Sequence, residues 1–283
     1  MLDRKLLLVT GKGGVGKSAV TAGLALQAVR RGKRVLAIGM IDGGGLASHF
    51  GVDKLGYQPA EVRPGLFAMA IDRGAAIDEY MKLQVPVPSS IPTKTLSNVF
   101  GAVVDTIPGV REVVTIGKPI YEVWAERWDL VIVDGAPLGQ VMSYINAPNT
   151  IEQLVPSGRI REQARRIAET LTMNSSGMVM VAIPEELPVV ETLETLAELE
   201  IEQPIQVSAV VANRLLDELE VDLDGVPPGA HLDAATHHRG VWASQQHWLE
   251  VLPADSLALE FLFGMHTPSE VAARLADAFE DLP

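Results

Sequence analysis

The chain is predicted to fold as an α/β protein, a doubly wound and mostly parallel sheet, on three observations. A strand, a glycine-rich loop, a helix and a second strand follow one another between Lys5 and Ile41. Short apolar runs then recur along the 283 residues. Helical segments separate most of these runs, and a strand–helix–strand alternation of that kind implies parallel crossovers. Lys5–Thr10 (KLLLVT) reads as a buried strand because an apolar run of that length suits a strand covered on both faces. Ser18–Arg31 carries Val20, Leu24, Ala28 and Arg31 at helical spacing, with Gly32 placed to stop it. Arg34–Ile41 is the next strand.

Further strands are expected at Leu66–Ile71, Leu130–Asp134, Met178–Ile183, Val207–Ala212 and Leu249–Leu252. Helices are expected at Glu162–Leu171, at Val189–Leu199 with Leu193, Leu196 and Leu199 on one face, and at Thr267–Phe279. In the last, Thr267, Pro268 and Glu270 form a capping-box signature. Residues 74–126 break the alternation and read as helix after helix, interrupted by the proline-rich Val85–Pro92 and by Gly117-Lys118-Pro119. The expected organisation is therefore one domain over 1–283 with a helical insertion at 74–126. Residues 217–240, centred on Pro227-Pro228-Gly229, read as loop-rich.

Composition narrows the functional classes. The chain is 47% hydrophobic, enough to bury a large core, and its net charge of −13 argues against a nucleic-acid partner gripped through phosphates. Cysteine is absent, which excludes disulfides, thiol catalysis and cysteine-bound metal clusters. Leu6–Thr10 is too short for the apolar core of a secretion signal, and no apolar run reaches membrane-spanning length, so a cytoplasmic location is expected.

The strongest chemical signal is Gly11-Lys12-Gly13-Gly14-Val15-Gly16-Lys17-Ser18. It fits the P-loop pattern, in which glycines let backbone N–H groups converge on phosphate oxygens at a helix N-terminus. Lys17 is expected on the β- and γ-phosphates of ATP and the Ser18 hydroxyl on Mg²⁺. Asp134 ends an apolar strand where open α/β sheets place ligands, and is a second candidate for holding Mg²⁺. Gly135–Gly139 is either a loop that senses the γ-phosphate or a plain strand-to-helix turn. Asp42, followed by Gly43-Gly44-Gly45, sits at the same sheet edge and can hold a metal-bound or attacking water; the glycines are either a switch or a loose turn. Asn213 either reads adenine through its amide or occupies a turn. His231, His237 and His238 lack metal-ligand spacing and read as a solvated face.

The loop GKGGVGKS resembles the deviant Walker A loop of the SIMIBI class of P-loop ATPases, and further segments are similar to the ArsA/guided-entry branch of that class. Val133–Gly139 resembles its switch II, Ile41–Phe50 its switch I, Val210–Leu215 its adenine-contacting segment, Leu259–Pro268 its C-terminal adenine loop, and Pro108–Glu112 the P-G-x-x-E element of its helical insertion. The resemblance implies an ATPase that closes as a homodimer, or a heterodimer with a related chain. In that class Lys12 reaches across to the partner's phosphates, and the helical insertion takes a client, a hydrophobic protein segment or a membrane-protein partner. Aligned on Leu46 and Phe50, Ser48 stands where the branch carries a switch I aspartate, leaving Asp42 as the acid for the attacking water. A nucleotide-binding regulatory subunit with weak turnover is the alternative that this substitution implies. The acidic tail, with Asp277, Glu280 and Asp281 against Arg274, does not resemble a membrane-lying amphipathic helix.

Overall fold

The computed structural model describes residues 1–41, 43–84, 109–224 and 226–280. Eight strands form one sheet: β1 (Leu6–Gly11), β2 (Val35–Gly39), β3 (Ala60–Arg63), β4 (Leu66–Ala70), β5 (Leu130–Pro137), β6 (Ser176–Ala182), β7 (Val207–Leu215) and β8 (Leu257–Glu260). Their order is β3-β4-β2-β5-β1-β6-β7-β8, and every pairing is parallel except the edge hairpin β3–β4. The helices are α1 (Lys17–Arg30), α2 (Gly44–Phe50), α3 (Arg73–Gln84), α4 (Val110–Trp124), α5 (Leu138–Leu154), α6 (Arg159–Thr172), α7 (Glu186–Glu202), α8 (Ala230–Val251) and α9 (Pro268–Ala278).

The pleat sorts the core into two layers, because successive strand residues face opposite sides. Leu6, Leu8, Leu36, Ile38, Val131, Val133, Met178 and Met180 meet Ile77 of α3, Ile116 and Ile120 of α4, Val141 of α5, Ile167 of α6 and Val189 of α7. Leu7, Val9, Val35, Ala37, Leu130, Ile132, Val179 and Val181 meet α1, Leu46 and Phe50 of α2, and Leu275 of α9. Strands covered on both faces need continuous apolar runs, which is why these were readable.

Four expectations are corrected. Gly117-Lys118-Pro119 does not interrupt a helix: α4 runs through it with Pro119 inside. Leu249–Leu252 is the end of α8 and the residue that follows it, not a strand; the last strand lies at Leu257–Glu260. So short an apolar run fits either period, and Trp248 and Leu249 here pack on the core from a helix. Residues 230–240 belong to α8, which starts at the Gly229 cap, so only the stretch before Gly229 is irregular; His231, His237 and His238 lie on this helix. Asp134 and Asn213 do not end their strands: β5 runs on to Pro137 and β7 to Leu215. The capping box at Thr267–Glu270 forms as expected. Val85–Pro92 and Pro108 lie outside the described residues, while Gly109 caps α4 with φ 85°.

Helices α3 and α4 are tied together by buried charge. Lys118 of α4 is 5% exposed and pairs with Glu79 of α3 and Glu122, both at 2.9 Å. Glu122 also accepts from Trp128 Nε1 at 3.0 Å and Arg127 at 2.7 Å, and Tyr57 donates to Glu79. Burial pushes the Glu122 carboxyl up, but the hydrogen bonds from Trp128 and Lys118 and the charges of Lys118 and Arg127 outweigh it and hold the group below its ordinary value. Removing one of the two cations on a buried carboxylate is destabilising, though less than removing both, because Arg127 still pairs with Glu122. Lys118→Met is therefore expected to lower the unfolding free energy by about 1–3 kcal/mol, and adding Glu122→Gln to recover part of it, as read by denaturant unfolding. Because the Glu122 pKa is lowered on folding, its contribution is present above the ordinary carboxylate range and is lost as pH falls through the folded value. The double variant should accordingly lose part of the acid limb of the stability profile.

Candidate functional site

The site begins where β1 ends. Bonded to β5 on one edge and β6 on the other, β1 delivers Gly11 to the C-terminal edge of the sheet, and residues 12–16 turn the chain into α1. Gly16 caps α1 in the left-handed region at φ 99°, and a Cβ there would lie 2.5 Å from Asn213 Nδ2, so both conformation and space require glycine. No side chain caps this helix and its first turn holds no acid. Its free N–H groups and positive dipole end face outward, the arrangement that receives an anion.

Two lysines stand at this turn. Lys17 is half-buried and donates to the Lys12 carbonyl at 3.1 Å. Burial lowers its pKa, partly offset by the charge of Asp134. Lys12 pairs with Glu191 of α7 in the same chain, each about a third exposed. Ser18, in the first turn of α1, donates its hydroxyl to Asp134 Oδ2 at 2.5 Å, and Asp134 is 8% exposed. Thr10 Oγ1 donates to the Ala136 carbonyl at 2.7 Å across the register break between β1 and β5. The main chain at Gly135–Pro137 is thereby held as strand, and α5 follows at once.

A cavity of about 480 Å³ opens beside the turn, lined in part by Lys17, Ser18, His49, Asn213, Glu260 and Phe261. Asn213 is buried and donates Nδ2 to the Val15 carbonyl at 2.8 Å, so its amide braces the glycine loop. Gly44 and Gly45 open α2 rather than a loose turn, and a Cβ on Gly45 would lie 2.7 Å from Ser18 Oγ. Ser48 is exposed and returns its hydroxyl to the carbonyls of Gly44 and Gly45 at 3.2 and 2.9 Å.

Of the residues expected from sequence, the structure thus brings together Gly16, Lys17, Ser18, Asp134 and Asn213. Gly13 and Gly14 lie exposed on the outer rim of the loop and Val15 is buried beneath it. Lys12 is engaged by Glu191, and Asp42 lies outside the described residues. Sequence reasoning missed Glu191 and His49. The former follows β6 at the same sheet edge as the loop, and the latter stands four residues after Gly45, whose carbonyl its Nδ1 meets at 2.7 Å.

Ser18 Oγ and the Asp134 carboxylate form an oxygen donor pair suited to a hard divalent cation such as Mg²⁺, which is commonly held by one or two protein oxygens plus substrate phosphates. The residues present fit that group. Among the described residues no cluster of three or more histidines and carboxylates stands ready to hold a metal unaided.

Comparison with known proteins places the chain in a family. The sequence model of the anion-transporting ATPase family matches residues 4–167. The ATPase BagA of Mycobacterium tuberculosis is 32% identical over 259 residues, covering 80% of this chain and 73% of that protein. The ATPase get3 of Schizosaccharomyces japonicus is 33% identical over 152 residues, covering 53% of this chain and 45% of that one. A putative arsenical pump-driving ATPase of Halobacterium salinarum is 28% identical over 235 residues, covering 76% and 36% respectively.

The desolvated Lys17 makes a prediction with a definite sign. A lysine whose pKa is lowered on folding binds fewer protons folded than unfolded, so the nucleotide-free protein gains stability as pH rises from the lowered value toward the ordinary 10.5. Lys17→Met is expected to remove that slope and to leave the ligand-free melting temperature equal or higher. It should also abolish stabilisation by MgATP, which with free MgATP a hundredfold above Kd amounts to about 2.7 kcal/mol. Thermal melts with and without MgATP across pH 7–10 read all three effects.

Proposed function

The chain belongs to the anion-transporting ATPase family, and from that premise and the geometry of its glycine loop we propose that it is a dimeric switch that binds and hydrolyses ATP to drive a change in partner binding. One observation carries the reading: an uncapped helix N-terminus, a half-buried lysine and the Ser18–Asp134 oxygen pair converge on one cavity. The backbone N–H groups of Gly11–Ser18 receive the phosphates, and Lys17 regains by contact with them the solvation that burial removes. Ser18 and Asp134 hold Mg²⁺, which when bound neutralises phosphate oxygens and so lowers the cost of charge movement during transfer. Asp42, at the start of the switch-like segment Ile41–Phe50, orients the attacking water. Asn213 and the segment around Phe261 receive the base.

Lys12 is the element that makes the site a switch. In the structure Glu191 holds it within its own chain. To serve a second copy, or a related chain, across a closed dimer it must leave that carboxylate. Closure and opening then move the helices α3 and α4 that flank the client-binding part of residues 74–126. The anchor through Lys118, Glu79 and Glu122 makes those two helices move as a unit. A hydrophobic protein segment or a membrane-protein partner is the client class proposed. Among the described residues no helix is long and apolar enough to cross a membrane.

A regulatory subunit with weak turnover is the second reading, and one observation favours it: Ser48 spends its hydroxyl on its own helix. The purified chain is expected to bind MgATP and to shift from monomer toward dimer with it in analytical ultracentrifugation. Glu191→Gln, which frees Lys12, should strengthen the nucleotide-driven dimer several-fold, and Lys12→Ala should weaken it by at least as much. A chain that binds MgATP but turns it over only beside a related ATPase supports the regulatory reading. Indifference to ATP in both binding and sedimentation would overturn the proposal.

A further inference from the structure

The base end of the cavity is built on an irregular strand end. The β7–β8 ladder breaks register between Ala212 and Leu215, and Arg214, inside that break, takes φ 63°. A non-glycine residue holds a left-handed conformation only where its surroundings over-determine it. What determines it here comes from the opposite layer. Gln245, of all α8 residues the buried one, accepts from the Leu216 N–H through Oε1 at 2.8 Å and donates Nε2 to the Arg214 carbonyl at 3.0 Å. Those two main-chain groups can only donate and accept respectively, so they fix which way the amide faces. Phe261 N–H donates to the Leu215 carbonyl at 2.7 Å, completing the pairing around the bulge.

Both residues displayed by this bulge line the nucleotide cavity. Asn213 braces the glycine loop through Val15, and Arg214 and Glu260 form the adjoining wall. We propose that Gln245 is a positioning residue for nucleotide-base recognition: by clamping the main chain on both sides of Leu215 it sets the direction in which Asn213 and Arg214 are offered to the base. This rests on the nucleotide reading above. Gln245 does not line the cavity itself and reaches the glycine loop only through the Asn213–Val15 bond, so its effect falls first on the base end. The phosphate end is held chiefly by the β1–β5 and β1–β6 ladders.

The test compares MgATP with magnesium tripolyphosphate, which keeps the phosphates and lacks the base, by calorimetry on the full chain. Gln245→Met keeps the length of the side chain and removes both hydrogen bonds. Gln245→Glu keeps the acceptor for Leu216 but sets a second acceptor against the Arg214 carbonyl. Both variants are expected to weaken ATP about tenfold or more and to reduce the preference for ATP over GTP, with tripolyphosphate affinity within about twofold of the parent. In turnover the change should fall on KM and spare kcat. Tripolyphosphate binding also reports that each variant is folded at the loop. Unchanged ATP affinity in both variants, or parallel loss of ATP and tripolyphosphate, overturns the inference. A parent chain that binds tripolyphosphate but not ATP overturns it as well, and one that binds neither overturns the nucleotide reading beneath it.

Discussion

Strand β1 is bonded along both edges and covered on both faces, and the rest of the site takes its coordinates from it. A strand so enclosed cannot slip register without moving one whole set of side chains to the wrong layer. Leu6 and Leu8 are committed to one core and Leu7 and Val9 to the other. The point at which the chain leaves the sheet is therefore fixed, and so is the start of α1. Asp134 arrives beside it because β5 is the neighbouring strand, with Val9 opposite Asp134 in the ladder. The Ser18–Asp134 contact is thus a consequence of strand order, needing no contribution from flexible loops.

Charge at this edge is arranged locally against the charge of the whole. A chain of net charge −13 opposes the approach of an anion, yet the turn itself presents an acid-free first turn and an uncapped dipole end. Lys17 carries a desolvation cost that an anion at this turn would relieve. Lys12 differs. It is already paired with Glu191 in a partly exposed ion pair, the kind worth little net energy and readily exchanged. One lysine waits for charge and the other is held by it.

Much of this was legible in the residues. Strands covered on both faces must be continuously apolar, so β1, β2, β5 and β6 announce themselves, and the glycine loop states its geometry at Gly11 and Gly16, where no larger residue fits. The elements that were not legible are those whose form depends on a distant partner. Gly43-Gly44-Gly45 reads as a switch or a loose turn, yet α2 forms from Gly44 because Leu46 and Phe50 find the core between α1 and α9. The run Leu249–Leu252 satisfied strand and helix alike, and the real edge strand, Leu257–Glu260, is too short and too exposed to carry a period. Glu191 and Gln245 belong to helices whose sequences look ordinary; only the sheet order brings the first to Lys12 and the second to Arg214.

The two ends of the cavity consequently differ in how firmly they are made. The phosphate end rests on ladders of main-chain hydrogen bonds in the centre of the sheet, where loss of one bond is shared among many. The base end lies toward the edge, beyond the register break of β7 and β8, and depends on single side-chain bonds: Asn213 to Val15 and Gln245 to Arg214 and Leu216. Such bonds are individually modest but costly when one buried partner is left unmade. On the nucleotide reading proposed above, substitutions in α8 then change what the cavity selects more than its grip on phosphate. Phosphate binding would rest on the centre of the sheet, whereas discrimination among nucleotides would rest on Asn213 and Arg214 of β7 and on Gln245, the helix residue that sets them.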